Sequence, residues 1–239
     1  MGSQDERPRG GPGAMTGMET RRSYDRMAPA YRDRFAGELE HKPFDRTFLD
    51  SVAELIDGSE WLIDLGSGPG QIGAYLAARG ARVLSVDLSL AMLREAAALV
   101  PGGNRVQADM RVLPFATASI GGIVAFYSLI HIPPDELAPT LKELHRVLQI
   151  GGHFALTTHV TSPPGGGAAV REESSLALHV EEMLSAPVDL DFYFYGVAEL
   201  VPSLEQTGFA LVVSSEREPY APEIEAQSKR AYVLAVKRD

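Results

Sequence analysis

The stretch Trp61-Leu-Ile-Asp-Leu-Gly-Ser-Gly-Pro-Gly70 leaves this chain few folds to adopt. A short apolar run closed by glycines reads as a buried strand. Gly66, Gly68 and Gly70 follow Asp64 at two-residue intervals. Without a Cβ, such a loop turns tightly and lays its backbone against a ligand. Residues 71–79 then carry a helical pattern, so the free N–H groups of that helix point back at whatever the loop holds. Strand, glycine loop and helix together make a nucleotide-type cofactor site at the carboxyl edge of a parallel sheet.

The chain beyond this point alternates strand and helix signals. Strands are expected at 61–65, 81–87, 105–108, 120–128, 153–158, 209–214 and 231–237. Helices are expected at 71–79, after Ser89 as N-cap with Met92, Leu93 and Ala96 on one face, from near Pro139 to Gly151-Gly152, and at 197–207. Repeated βα units imply a parallel sheet with helices on both faces. The last connection, 215–230, is polar and lacks a helical pattern, so the final two strands are expected to be antiparallel. The fold class is α/β: a doubly wound, Rossmann-like, seven-stranded and mostly parallel sheet with a terminal antiparallel strand and an N-terminal helical cap.

Residues 1–20 are rich in Gly, Pro and charge and are expected to be a disordered tail. Residues 21–58 read as the cap: aromatic residues recur at helical spacing, and Pro29 is expected to divide its first helix. The main domain is 59–239. Within it, 161–195 reads as a lid or substrate insertion: a Gly/Pro loop at 161–175, a weakly helical 176–185 and a strand over 188–195. The net charge of −10 and pI near 5.1 argue against nucleic acid and anionic membranes as partners. There are no cysteines, no apolar run long enough to span a bilayer, and no apolar signal-peptide core at the start. The expectation is a cytoplasmic enzyme or binding protein, with no reading of its oligomeric state.

Two cofactors compete for the glycine loop. Gly68-x-Gly70-x-x-Gly73, with Asp87 as an acid 19 residues after Gly68, fits the dinucleotide fingerprint of a nicotinamide enzyme. The other frame, Asp64-x-Gly66-x-Gly68-x-Gly70, resembles the glycine motif of class I S-adenosylmethionine-dependent methyltransferases of the small-molecule type. The resemblance extends along the chain. It takes in Asp87-Leu88 after strand two, Ala108-Asp109-Met110 followed by Leu113-Pro114-Phe115, and Val124 to Ser128 followed by Leu129-Ile130-His131. It also takes in Arg146-Val147-Leu148-x-x-Gly151-Gly152 and the N-terminal Tyr24-Asp25-x-x-Ala28-x-x-Tyr31. It covers about residues 23–237, and some 60 residues precede strand one, where a dinucleotide domain often begins.

This resemblance implies S-adenosyl-L-methionine as cofactor and S-adenosyl-L-homocysteine as product. It implies that Gly66, Gly68 and Gly70 meet the cofactor, that Asp87 accepts from the ribose diol, and that Asp109 accepts from the adenine amino group. Leu88 and Met110 would flank the ring, with Met92, Tyr127, Tyr24 and Tyr31 as further cofactor contacts. Asp64 has two readings of equal weight, cofactor contact or a brace on the loop's N–H groups.

Methyl transfer from a sulfonium needs alignment and exclusion of water, and needs a base only when the nucleophile must lose a proton. His131, after strand four, is the candidate base. His159, at the carboxyl end of strand five, is a candidate substrate contact. In Asp191-Phe192-Tyr193-Phe194-Tyr195 an extended backbone puts Phe192 and Phe194 on one face and Tyr193 and Tyr195 on the other. Phe192 and Tyr193 are the candidate acceptor wall, matched to a small, partly apolar molecule. No His/Asp/Glu spacing reads as a metal site. The expected function is methyl transfer to that molecule by direct displacement. The alternatives are an NAD(P)-dependent oxidoreductase and a protein that binds S-adenosylmethionine without catalysis.

Overall fold

A computed structural model describes residues 17–161 and 177–239. Its elements in chain order begin with α1 (Gly17–Phe35), a 3-10 turn (Glu38–His41), α2 (Pro43–Leu55), β1 (Trp61–Leu65), α3 (Gln71–Ala77), β2 (Arg82–Asp87), α4 (Leu90–Leu99) and β3 (Asn104–Gln107). There follow β4 (Ile120–Phe126), a 3-10 turn (Leu129–His131), α5 (Pro134–Val147), β5 (Leu148–His159), β6 (Ala177–Met183), β7 (Ala186–Tyr193), α6 (Val197–Gln206), β8 (Phe209–Arg217) and β9 (Arg230–Lys237).

Seven strands form one sheet in the order β3-β2-β1-β4-β5-β9-β8, parallel from β3 to β5. β9 lies antiparallel between β5 and β8. The doubly wound fold expected from the βα repeats is present. Leu62 and Ile63 of β1 are fully buried and feed the cores on opposite faces, as side chains of successive strand residues must. One core lies under α5 and α6, the other under α2 and α3.

Several boundaries differ from the sequence reading. Residues 17–20 belong to α1 rather than to a tail; 1–16 lie outside the described residues. Pro29 does not divide α1. Its missing N–H falls on the exposed side, while Ser23, Met27 and Ala28 hold the buried side. α5 starts at Pro134, where a proline suits the first turn and Asp135 and Glu136 complement the helix dipole; Pro139 is inside it on an exposed face. Gly151 and Gly152 lie within β5, Gly151 at φ 78°. The segment read as weakly helical is strand β6. It pairs antiparallel with β7 through Leu184 and Ser185, both left-handed (φ 52° and 61°), which is the turn geometry that matches strand twist. The loop proposed as a lid, 161–175, lies outside the described residues from 162 on.

α1 packs Met27 against Val188 and Leu190 of β7, with Tyr24, Tyr31 and Phe192 around them. Asp25 fastens the same helix to α4: its Oδ1 accepts from Ser89 Oγ (2.6 Å) and from the N–H of Ala91 (3.2 Å). Cap and hairpin together therefore roof the carboxyl edge of the sheet.

Candidate active site

The glycine loop is shaped by close approach. Gly66 has φ 66°, and a Cβ there would lie 2.3 Å from Ser128 Cβ. Gly68 (φ 52°) faces open space except for Tyr31 at 3.8 Å. Gly70 (φ 90°) caps α3 and presses on Ala96 of α4; a Cβ would lie 2.8 Å from that of Ala96. Gly70 thus sets helix packing and does not line the cavity. Met92 is likewise buried inside α4's packing and outside the cavity.

Three carboxylates stand at the carboxyl ends of β1, β2 and β3: Asp64 within β1, Asp87 as the last residue of β2, and Asp109 two residues past β3. Asp64 Oδ2 accepts the N–H of Gly73 (2.9 Å), so the bracing reading of this residue is present in the structure, and Gly73 is small because its Cβ would strike that carboxylate. Burial lifts Asp64 to about 7, against the pull of that hydrogen bond. Asp87 spans the loop: Oδ2 accepts from Gly68 N–H (2.8 Å) and Oδ1 from Ser89 N–H (2.7 Å). Burial raises it to about 6. Asp109 is gripped by Arg111 through Nε (3.0 Å) and Nη2 (2.6 Å), and Arg111 also reaches Glu136 (2.7 Å). This clamp holds the Asp109 carboxyl below its usual range despite burial. Sequence reasoning missed Arg111, although its spacing from Asp109 was visible.

These residues open into a cavity of about 630 Å³ that follows the carboxyl edge of the sheet. Tyr24, Tyr31, Asp64, Gly66, Gly68, Asp87, Leu88, Asp109, Met110, Tyr127, His131, His159 and Phe192 all line it. Gly70, Met92 and Tyr193 do not. Tyr193 packs on the core under α5 and α6, and Phe194 takes its place at the wall beside Phe192. The alternation of the aromatic run holds, but only one of its faces is in the cavity.

Tyr127 lines the cavity in a left-handed conformation (φ 52°) that is costly for a non-glycine residue and needs support from its surroundings. Its N–H is held by Thr157 O (3.0 Å), and its ring lies 5.6 Å from both Lys42 Nζ and the Arg230 guanidinium. His131 uses both nitrogens. Nδ1 faces the Asp191 carbonyl (2.8 Å), which can only accept, so Nδ1 carries the proton and Nε2 accepts from Tyr24 O–H (2.6 Å). Burial lowers His131 to about 4. His159 lies 5.0 Å ring to ring from Tyr127; burial first, then Arg230 and Lys42, push it far below the usual histidine range.

Under Tyr127 lies an ion cluster that sequence reasoning did not find. Arg217 bridges Asp45 (3.0 Å) and Glu225 (2.6 Å), while Lys42 pairs with Glu38 (2.5 Å). Arg230 is 2% exposed and adjoins Glu225 (3.5 Å). No local spacing unites these residues.

At the glycine loop two buried polar atoms, Ser67 Oγ and Gln71 Oε1, have no partner in the protein. Both residues line the cavity. With the positive-φ glycines and Asp87 they make a cradle whose polar requirements a hydroxyl- and amine-bearing nucleoside would meet. Among the described residues no group of three or more His, Cys, Asp or Glu could hold a metal ion, and no helix is long and apolar enough to cross a membrane.

The sheet order with its inserted antiparallel strand, the glycine cradle and the helical cap define the Rossmann-like fold of class I methyltransferases. Residues 63–156 match the family described as a methyltransferase domain. Malonyl-[acyl-carrier protein] O-methyltransferase of Pseudescherichia vulneris is 39% identical over 97 residues, 41% of this chain and 38% of its own length. The chain spans about half or less (38%, 51% and 47%) of the curated relatives of that name that it matches. Among solved structures, the [4+2]-cyclase SpnF superposes with a TM-score of 0.67 at 18% identity, covering 95% of this chain and 98% of its own. The Burkholderia thailandensis 1,6-didemethyltoxoflavin-N1-methyltransferase, solved with its substrate and S-adenosylhomocysteine, gives 0.59 at 19%, covering 97% and 94%. The matched methyltransferase domain, these relatives and the solved neighbours together support a class I S-adenosylmethionine-dependent methyltransferase. The nicotinamide alternative finds no support among these proteins.

Proposed function

We propose that the chain transfers a methyl group from S-adenosylmethionine to a small, partly apolar acceptor by direct displacement. The observation that carries this reading is a single cavity with two unlike ends. One end holds the glycine loop and its carboxylates; the other holds Phe192, Phe194, His159 and Arg230. The bound sulfonium would supply an already activated leaving group, and the protein's work is alignment and exclusion of water.

Asp87 accepts from the ribose hydroxyls, Asp109 from the adenine amino group, and Leu88 and Met110 flank the ring. The backbone at Gly66 and Gly68 lies along the rest of the cofactor, with Tyr24 and Tyr31 as its roof. His131 has no free nitrogen for a proton, so its proposed role is to hold Tyr24 in place beneath the cap. The acceptor lies against Tyr127, His159 and Phe192. One relative's name specifies oxygen as its acceptor atom and a structural neighbour's specifies nitrogen. A carrier-borne acyl group is one form such an acceptor could take.

The fold alone does not fix methyl transfer, since a cyclase shares it. The test therefore has two stages. Calorimetry should show binding of S-adenosylhomocysteine and none of NAD(H); the reverse sinks the proposal. A screen of phenols, amines and carboxylates with labelled S-adenosylmethionine should then find methylated product. Cofactor binding with no acceptor in any class would favour the non-catalytic reading.

A further inference from the structure

We propose that His159 is the catalytic base and that the acceptor's nucleophile is a neutral hydroxyl, so that the product is a methyl ether; this rests on the methyl-transfer reading above. Two histidines line the cavity. His131 has both nitrogens engaged, whereas His159 has only one. His159 Nδ1 lies 3.2 Å from Ser228 Oγ. The single proton of that hydroxyl is already directed at carbonyls, Thr161 O (2.5 Å) and Lys229 O (3.2 Å). Ser228 Oγ can therefore only accept from Nδ1, which fixes the tautomer: Nδ1 carries the proton and Nε2 a bare lone pair. Nε2 makes no hydrogen bond with any described residue and is not sealed from solvent.

The imidazole is held in place by its surroundings. His159 ends β5 opposite Arg230 of β9, and Ser228, just before β9, is buried. The Val160 N–H donates to Lys229 O (2.8 Å) and the Lys229 N–H to Thr161 Oγ1 (3.2 Å), which ties 159–161 to 228–230. The His159 ring packs on Tyr127, whose own hydroxyl faces Asp45 and Tyr232 (both 3.4 Å) and leaves Nε2 untouched. Ser128, next in the chain, presses on Gly66. A run of contacts thus leads from His159 to the glycine loop, where the methyl donor would bind.

The chemistry selects a hydroxyl. Burial first, then Arg230, Lys42 and His131, hold His159 far below the usual histidine range, so it meets the acceptor without a proton. A base so weak can take a proton only from a strongly acidic group. An alcohol oxygen becomes one as methylation turns it towards an oxonium; a methylated amine stays an ammonium that keeps its proton near neutrality. The same cations disfavour an acceptor that arrives as an ammonium. In the step the hydroxyl oxygen forms the new C–O bond, and the C–S bond of the sulfonium breaks with its electron pair passing to sulfur. The hydroxyl proton passes to Nε2, and the imidazolium returns it to water as product leaves.

Two measurements on the full chain test this. In 15N spectra of the histidine-labelled protein, with the His159 signals assigned by their loss in His159→Phe, Nδ1 should be protonated and Nε2 bare. Ser228→Ala should move the population towards the Nε2–H form, and Ser228→Thr should keep the original one. An Nε2–H tautomer in the unaltered protein overturns the proposal without recourse to any variant. In the second, labelled S-adenosylmethionine is supplied with 2-naphthol, 4-propylphenol and 4-phenylbutan-1-ol, each against the matching amine. At least one hydroxyl compound should be methylated tenfold or more faster than its amine. His159→Phe, which keeps a ring against Tyr127, should lower that kcat about 100-fold or more and leave S-adenosylhomocysteine affinity within twofold. Turnover of none of the hydroxyl compounds, preference for the amines, or a kcat that survives His159→Phe overturns the proposal. Failure of S-adenosylhomocysteine itself to bind overturns the methyl-transfer reading beneath it.

Discussion

The two ends of the cavity are built in opposite ways. The glycine-loop end draws its groups from residues 64–110, and its carboxylates are held chiefly by neighbouring backbone N–H groups or by a side chain two residues away. The far end gathers Lys42, Tyr127, His159, Glu225 and Arg230, whose side chains are held largely by one another. Backbone-held groups keep their geometry under side-chain substitution; a mutually held cluster does not. The first end is thus suited to one invariant ligand, and the second to change.

The largest effect expected tests the rigidity of the first end. Gly66→Ala forces a left-handed alanine against Ser128 and should destabilise by about 3 kcal/mol, lowering Tm by roughly 6–12 °C. Gly68→Ala meets nothing closer than Tyr31 and should cost about 1 kcal/mol. Equal losses in thermal denaturation would mean that the loop is not shaped by the Ser128 approach. Next, Asp87→Ala should weaken S-adenosylhomocysteine about 100-fold by calorimetry, the worth of two charge-assisted hydrogen bonds. A loss below tenfold would leave Asp87 as a loop brace only.

At the far end, Phe192→Ala should raise the acceptor KM about thirtyfold with cofactor affinity unchanged. Tyr193→Ala should lower Tm and leave that KM alone, because Tyr193 packs on the core. Similar KM effects for the two would contradict the division of the aromatic run between cavity and core. The smallest effect is one of pH. Ribose donors favour the ionised Asp87, whose value near 6 means that the free protein must release a proton to bind below that pH. Affinity for S-adenosylhomocysteine should rise about tenfold from pH 5 to pH 7 and then level off, and Asp87→Asn should flatten the curve. In the unliganded chain the sign is opposite. The stability associated with the raised carboxyl is fully present below about pH 4 and is lost as pH climbs through 6.

The same contrast decided what could be read from residues alone. Asp64, Gly66, Gly68 and Asp87 are legible because strand, turn and cap fix them within a few residues of each other. Ser89 declared itself as an N-cap and accepts Met92 N–H (3.1 Å). The β6/β7 hairpin was not legible: its turn is Leu184-Ser185, without the glycine or asparagine that usually announces such a bend. Gly70 and Met92 sit in the motif's frame, but helix packing turns them away from the cavity. Lys42, Glu225 and Arg230 carry no local signal, since only the folded chain brings 42, 225 and 230 together.

β9 runs against its neighbours, so it enters the sheet at the edge where β1, β2, β4 and β5 leave it, with Arg230 opposite His159. Were β9 parallel, Arg230 would stand at the far rim, some eight residues of strand away. The connection 218–229 is therefore a cassette: its two ends are anchored in strands β8 and β9, its middle reaches the acceptor end, and none of it belongs to the glycine-loop end. Exchange of that segment between relatives is a route by which one cofactor site can be refitted to new acceptors without redesign of the rest.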